Sequence, residues 1–434
     1  MTDDGGVTSR YRRGAGSAGE REAGMRRAGG TFTFVVKQGG LSAAAGVRAT
    51  GVACGLKRNG RPDLALVVAD GPATVAATFT RNLVQAAPVQ VSKRRLRGGR
   101  FSALILNSGN ANACTGRQGL RDAEMATREV ARLLGRPVGE VFVASTGVIG
   151  KRLDMTALRA GIRAAVAGLS VAGGGKAAQA ILTTDTVRKE IAVGFPVQRR
   201  QVTVGGMAKG SGMIAPNMAT MLAVIATDAA VSSGTLQRAL ATAVAQSFNC
   251  ITVDGDTSTN DMVLCFATGA SGAPRLSAGT ATFRRFQSAL DHVCVSLAKM
   301  VARDGEGATK LAEIRIQGAR SAREARLAAE AVATSPLVKT TLFGEDINWG
   351  RMLAALGRSG ARFDPTRVDL WVDEVSVLRR GESLGDRAEA AANRRLRRRE
   401  FALVAGLNAG SARARLWTTD LSEEYVRINA GYRS

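Results

Sequence analysis

Short apolar runs, each stopped by turn-forming residues and interleaved with helical patterns, leave this chain few folds to choose from. The runs "DLALVVAD" (Asp63 to Asp70), "FSALILNSG" (Phe101 to Gly109) and "EVFVASTGVIG" (Glu140 to Gly150) are too short to be helices and read as buried strands. The third runs straight into a Thr-Gly loop. In "RDAEMATREVARLLG", Ala126, Val130, Leu133 and Leu134 fall on one helical face. Leu236, Leu240, Ala243 and Val244 form a second stripe, and a longer helical pattern covers Thr280 to Arg303. "KLAEIRIQG" alternates like a half-buried strand. Strands and helices alternate without the strict rhythm of a doubly wound sheet, which predicts an α/β sandwich of layers. With 434 residues there is length for more than one core.

Residues 1–30 hold six arginines, four acidic residues and many Gly, Ala and Ser without apolar periodicity, so they read as a disordered basic tail; Met25 offers a second possible start. No apolar run approaches the ~20 residues that span a bilayer, and the N-terminus lacks the apolar core of a secretory signal. A cytoplasmic protein is the expectation.

Histidine is nearly absent. His292 alone occurs, inside the helical pattern "FQSALDHVCVSLAKMV", where a packed or surface imidazole is expected. That argues against Ser-His-Asp and Cys-His catalysis and obliges any nucleophile to find another base. The five cysteines are scattered and never form CxxC, so neither a disulfide framework nor a zinc cage is indicated, and no metal or cofactor is expected. A net charge of +24 invites a nucleic-acid reading. Its densest runs, "SKRRLRGGR" and "NRRLRRRE", are short, far apart and free of interleaved aromatics, which fits a solvated basic surface better.

Two motifs mimic ligand loops on the wrong spacing. "GGMAKGSGM" places Lys209 ahead of the glycine and a strand after it, whereas a phosphate loop needs Gly-Lys-Ser/Thr opening a helix. "DGDTSTND" begins like a calcium loop, but it lacks the central glycine in register and has Cys265 where the closing Glu belongs. The first motif suits different chemistry. Gly205, Gly206, Gly210 and Gly212 permit tight backbone conformations, and Pro216 and Asn217 favour a turn just before Thr220. If that turn strains the Ala219-Thr220 peptide, the Thr220 hydroxyl can attack the preceding carbonyl and leave Thr220 as a new N-terminus. Its α-amine, with an ordinary pKa of about 7.7–8.0, is then the base that histidine does not supply. The alternative is that Thr220 merely opens a strand.

From about Gly46 to Ser434 the chain resembles the ornithine acetyltransferase family, the bifunctional glutamate N-acetyltransferases of arginine biosynthesis. The resemblance is carried by "LNSGNANACTG" (Leu106 to Gly116), "ASTGVIG" (Ala144 to Gly150), "AILTTDT" (Ala180 to Thr186) and "GGMAKGSGMIAPNMATML" (Gly205 to Leu222). It continues through "TVDGDTSTND" (Thr252 to Asp261), "ARDGEGATK" (Ala302 to Lys310), "SPLVKTTLFGEDINWGR" (Ser335 to Arg351) and "YVRINAGY" (Tyr425 to Tyr432).

The resemblance implies an N-terminal-nucleophile-like αββα sandwich with a smaller α/β domain. It implies self-cleavage between Ala219 and Thr220 into an alpha chain, 31–219 behind the tail, and a beta chain, 220–434, paired as α2β2. Thr220 would be the nucleophile, Thr146 and Gly147 the oxyanion hole, and Thr183, Lys209, Thr220, Glu306, Asn429 and Ser434 the substrate contacts. The implied reaction moves acetyl from N2-acetylornithine to glutamate through an acetyl-threonine. Whether acetyl-CoA is also a donor stays open, as do a paralogue with altered acyl donor or acceptor and a related amidohydrolase or aminopeptidase that uses water. Gly431 and Arg433 depart from the family's usual residues near the C-terminus.

Overall fold

The computed structural model describes residues 21–27, 30–215 and 221–431. Its architecture turns on the strand Leu64–Phe79, 16 residues long. The first part, Leu64 to Ala69, is flanked by Val47–Val52 on one side, and Arg100–Asn110 pairs with it along Leu64 to Val68 on the other. The last part, Thr74 to Phe79, pairs instead with Met262–Ala267. One bent strand therefore joins what would otherwise be two sheets into a ladder of ten strands among the described residues.

Burial shows how that ladder folds over. Leu64, Leu66, Val68, Ile105 and Val143 pack outward against the helices Ala87–Leu96, Gly116–Leu134 and Met155–Ala167. The opposite face of the same strands, with Ala65, Val67, Leu104 and Phe142, meets Leu222, Val224, Met262 and Leu264 from the second group of strands. Phe101 of the first group stacks on Phe266 of the second with ring centroids 4.1 Å apart. The outer face of the second group, with Val204, Ile225 and Cys265, is covered by the helices Ser233–Ala245 and Ala281–Arg303. The order is helix, sheet, sheet, helix: the αββα sandwich.

A second, smaller α/β unit follows. Six strands, with Leu311–Ala319 between Glu400–Gly406 and Ala412–Thr419, build their own core with the helices Ala322–Ala333, Trp349–Gly357 and Asp386–Leu396. Alternation in "KLAEIRIQG" is observed as Ala312, Ile314 and Ile316 facing that core.

Local signals account for the element boundaries. Asp154, Ser232 and Thr280 each cap a helix by accepting a backbone N–H from its first turn, satisfying donors that have no intrahelical partner. His292 is packed, its ring 5.8 Å from Phe34, and burial pushes its pKa down. Among the described residues no helix is long and apolar enough to cross a membrane.

Three expectations are corrected. Arg21–Arg27, inside the segment expected to lack structure, forms a strand antiparallel to Gly30–Lys37 at the sheet edge, where unpaired backbone groups recruit a partner whatever its side chains. Thr146 and Gly147 belong to the strand Val141–Val148 rather than to a loop after it. Gly205 and Gly206 belong to the strand Arg200–Lys209, and only the glycines at 210 and 212 lie beyond it.

The need for Gly205 is tertiary: a Cβ there would sit 2.1 Å from the carbonyl oxygen of Gly40. That oxygen is backbone and cannot swing aside. Gly205→Ala is accordingly expected to destabilise the protein by about 1–3 kcal/mol, the usual cost of overpacking, read as a lower midpoint in urea denaturation. An unchanged midpoint would show that the backbone at Gly40 yields freely.

Candidate active site

One pocket collects Thr146, Gly147, Thr183, Lys209, Glu306 and Asn429. These are all the expected site residues that the structure describes. Ala219, Thr220 and Ser434 lie outside the described residues.

Thr146 and Gly147 come from the end of a buried strand that pairs in parallel with Arg100–Asn110, and the register slips at Gly109 and Asn110. Gly147 has φ 128° and a Cβ there would lie 2.4 Å from the Gly109 carbonyl carbon, so the position admits only glycine. Asn260 braces this corner. Its amide nitrogen donates to the carbonyls of Ala111 (2.6 Å) and Ser145 (2.8 Å), the latter immediately before Thr146.

Lys209 ends the strand Arg200–Lys209 and is almost fully buried. Its ammonium donates to the Thr183 hydroxyl at 2.7 Å and lies 3.7 Å from Asp185. Asp185 accepts from the amides of Thr183 (3.0 Å) and Gly210 (2.7 Å) and from Lys189 (2.7 Å). Lys189, with 0% exposure, also donates to Asp304 at 2.5 Å, and Asp304 accepts the Thr186 amide at 3.0 Å. Burial opposes ionisation of Asp185. The Lys209 and Lys189 ammonium groups outweigh it and hold the carboxyl well below the usual carboxylate range.

Glu306 follows two residues after Asp304. Its amide donates to the Ser211 carbonyl (2.9 Å), and its carboxylate accepts from Asn429 at 3.0 Å. A Cβ at Gly212 would fall 2.4 Å from that carboxylate, so glycine leaves the room Glu306 occupies. Asn429 sits on the helix Glu423–Gly431, which has no buried residue and is tied to the body by the Ser422 hydroxyl on the Gly307 carbonyl at its start and by Asn429 on Glu306.

The arrangement places a cation and an anion in one small pocket beside hydroxyl and amide donors, which complements a zwitterion. Residues not singled out from the sequence also line it, among them Thr184, Ser258, Thr259 and Asn260. The blocks "AILTTDT" and "TVDGDTSTND" contained them, and dense polar residues between apolar runs were the available signal.

A layered α/β enzyme with a pocket built for a charged small molecule is the class this defines. The chain matches the ArgJ family over residues 48–434. It is 52% identical over 398 residues to the arginine biosynthesis bifunctional protein ArgJ of Symbiobacterium thermophilum, across 91% of this chain and 99% of that one. To the protein of the same name from Geobacter sulfurreducens it is 48% identical over 389 residues, across 90% and 99%. Among solved structures, an ornithine acetyltransferase complexed with ornithine from Mycobacterium tuberculosis is 47% identical, covering 42% of this chain and 95% of that one with a TM-score of 0.39. An arginine biosynthesis bifunctional protein from Bacillus halodurans is 40% identical, covering 49% and 100% with a TM-score of 0.48. The chain belongs to the ArgJ family. It is an acyltransferase of arginine biosynthesis.

The buried ion cluster generates a prediction. Lys189→Met leaves Asp185 and Asp304 without their shared cation and should cost about 3–5 kcal/mol of stability near neutral pH. In the wild type the depressed Asp185 pKa makes its contribution complete above the unfolded value, 3.8, and lost as pH falls through the folded value. In the variant Asp185 keeps Lys209 but loses the support of Lys189, so its carboxyl takes up a proton at higher pH than in the wild type. The gap between the two proteins in urea denaturation should therefore narrow as pH falls from about 7 to about 4; a gap independent of pH would contradict this account.

Proposed function

We propose that the enzyme transfers acetyl from N2-acetylornithine to glutamate through Thr220, after cutting its own backbone between Ala219 and Thr220. In the cut, the Thr220 hydroxyl oxygen bonds to the Ala219 carbonyl carbon and the peptide C–N bond breaks. The hydroxyl proton passes to the departing nitrogen. Water then hydrolyses the ester, leaving Ala219 as a carboxylate and Thr220 with a free amine and hydroxyl. In the reaction, that amine takes the hydroxyl proton as Thr220 attacks the acetyl carbonyl, and returns it to the departing ornithine nitrogen. The glutamate amine then attacks the acetyl-threonine and restores the hydroxyl.

The observation that carries this reading is the convergence of Thr146, Gly147, Thr183, Lys209, Glu306 and Asn429 on one pocket. Met221, the residue after Thr220, leads into the strand Leu222–Thr227, whose Leu222 pairs with Lys209. Thr146 and Gly147 serve the developing oxyanion. Lys209 with Thr183 receives the substrate carboxylate, while Glu306, oriented by Asn429, receives an ammonium. Ornithine and glutamate share an α-carboxylate, so one cation serves donor and acceptor in turn. Ser434 joins the contacts from the chain end, and the two chains assemble as α2β2.

Intact-mass analysis of purified protein should find two chains of 219 and 215 residues, whereas Thr220→Ala should stay whole and inactive. Ornithine release from N2-acetylornithine beyond the one equivalent that acetylates the enzyme should depend on glutamate and be matched by N-acetylglutamate. An uncut protein with full activity would sink self-processing, and release of acetate in place of N-acetylglutamate would point to hydrolysis.

A further inference from the structure

The block "DGDTSTND", which is not spaced as a calcium loop, captures backbone at two points. Upstream, Asp254 accepts the Met213 amide on Oδ2 at 2.6 Å and the Ile214 amide on Oδ1 at 2.9 Å. The Ile214 carbonyl in turn accepts from the Val253 amide (2.8 Å) and the Thr252 hydroxyl (3.0 Å). Both amides and the following carbonyl are thus answered by residues 252–254. Met213 needs such a hold, because its φ of 57° is left-handed and a side chain resists that conformation. Downstream, Asp261, 1% exposed, accepts the Met221 amide at 2.9 Å, and the Met262 amide donates to the Met221 carbonyl at 3.2 Å.

Met213 and Ile214 precede the Ala219-Thr220 bond in sequence, and Met221 follows it. One acidic block therefore holds the chain on both sides of the bond. Attack of a hydroxyl on its neighbouring carbonyl depends on orientation, and fixing both ends of a short segment removes much of the freedom that would defeat it.

We propose that Asp254 and Asp261 are positioning residues for backbone cleavage before Thr220, clamping the segment's upstream and downstream ends. This rests on the self-cleavage reading above. Asp254 requires its carboxylate form, since both oxygens accept. Burial pushes its carboxyl up to about 6, with Asp256 adding to the rise while the amides oppose it. The other groups facing it are Tyr425, whose hydroxyl bonds to it from the helix Glu423–Gly431, and Lys339 from the helix Pro336–Phe343; Glu306 acts at one remove, through Tyr425. A carboxyl with a raised pKa is ionised only above it, so the clamp weakens as pH falls through about 6.

The test follows conversion of newly synthesised full-length chain to its two products by intact mass, for wild type, Asp254→Asn and Asp261→Ala, from about pH 5 to about pH 7.5. Wild-type cleavage should slow as pH drops through about 6. Asp254→Asn should cleave at least about 10-fold more slowly at the upper pH and lose that step, because no proton now controls the acceptor pair. Asp261→Ala should be slowed while keeping the step. A merely structural role would slow cleavage without abolishing the pH step in Asp254→Asn alone. Wild-type-like rate and pH step in Asp254→Asn would overturn the assignment. If that variant fails to fold, a wild-type rate flat across the range overturns it without any variant. A wild type that never cuts would instead overturn the underlying reading, and with it this one.

Discussion

A lysine with no exposure at all, Lys189, lies between the carboxylates of Asp185 and Asp304, and the pocket is assembled around that contact. Such a cluster is a poor source of net stability, because removing three charges from water costs about as much as their attraction returns. What it supplies is geometry. Asp185 fixes the amides of Thr183 and Gly210 and stands beside Lys209, while Asp304, two residues before Glu306, fixes Thr186. The cation and the anion of the pocket are thereby referred to one rigid centre. Displacing either carboxylate would move both.

The layered architecture explains why the pocket lies where it does. Thr146 and Gly147 close a strand of one sheet, Lys209 closes a strand of the other, and the bent strand Leu64–Phe79 keeps the two in one hydrogen-bonded ladder. Each sheet contributes a strand end to a common cleft. The smaller α/β unit approaches through the bridge between Ile251 and Trp417, and the chain beyond it returns to the pocket as the helix carrying Asn429. Thr146 and Asn429, more than 200 positions apart, thus line one pocket.

Much of this was legible in the sequence because it is local. Apolar runs such as "FSALILNSG" declare buried strands, and the helical pattern from Thr280 to Arg303 declares its helix. The pocket residues from Thr146 to Asn429 were legible only through their resemblance to a family, since nothing in Asn429 by itself distinguishes it from a surface amide. Tertiary causes stayed hidden. Gly205 and Gly206 looked like loop glycines because the carbonyl of Gly40 that excludes a side chain at 205 is 165 positions away. The partnership of Lys189 with Asp304 spans 115 positions and leaves no periodic trace. Arg21–Arg27 pairs through its backbone, which composition does not report.

Acetyl transfer by the proposed route requires that Thr220 carry the acetyl group. Incubating the enzyme with N2-acetylornithine alone, quenching in acid and mapping the products by peptide mass should place one acetyl group on the N-terminal peptide that begins at Thr220, removable by subsequent glutamate. An enzyme that makes N-acetylglutamate at full rate with no acetylated peptide under any quench, and whose double-reciprocal plots intersect instead of running parallel, would contradict it.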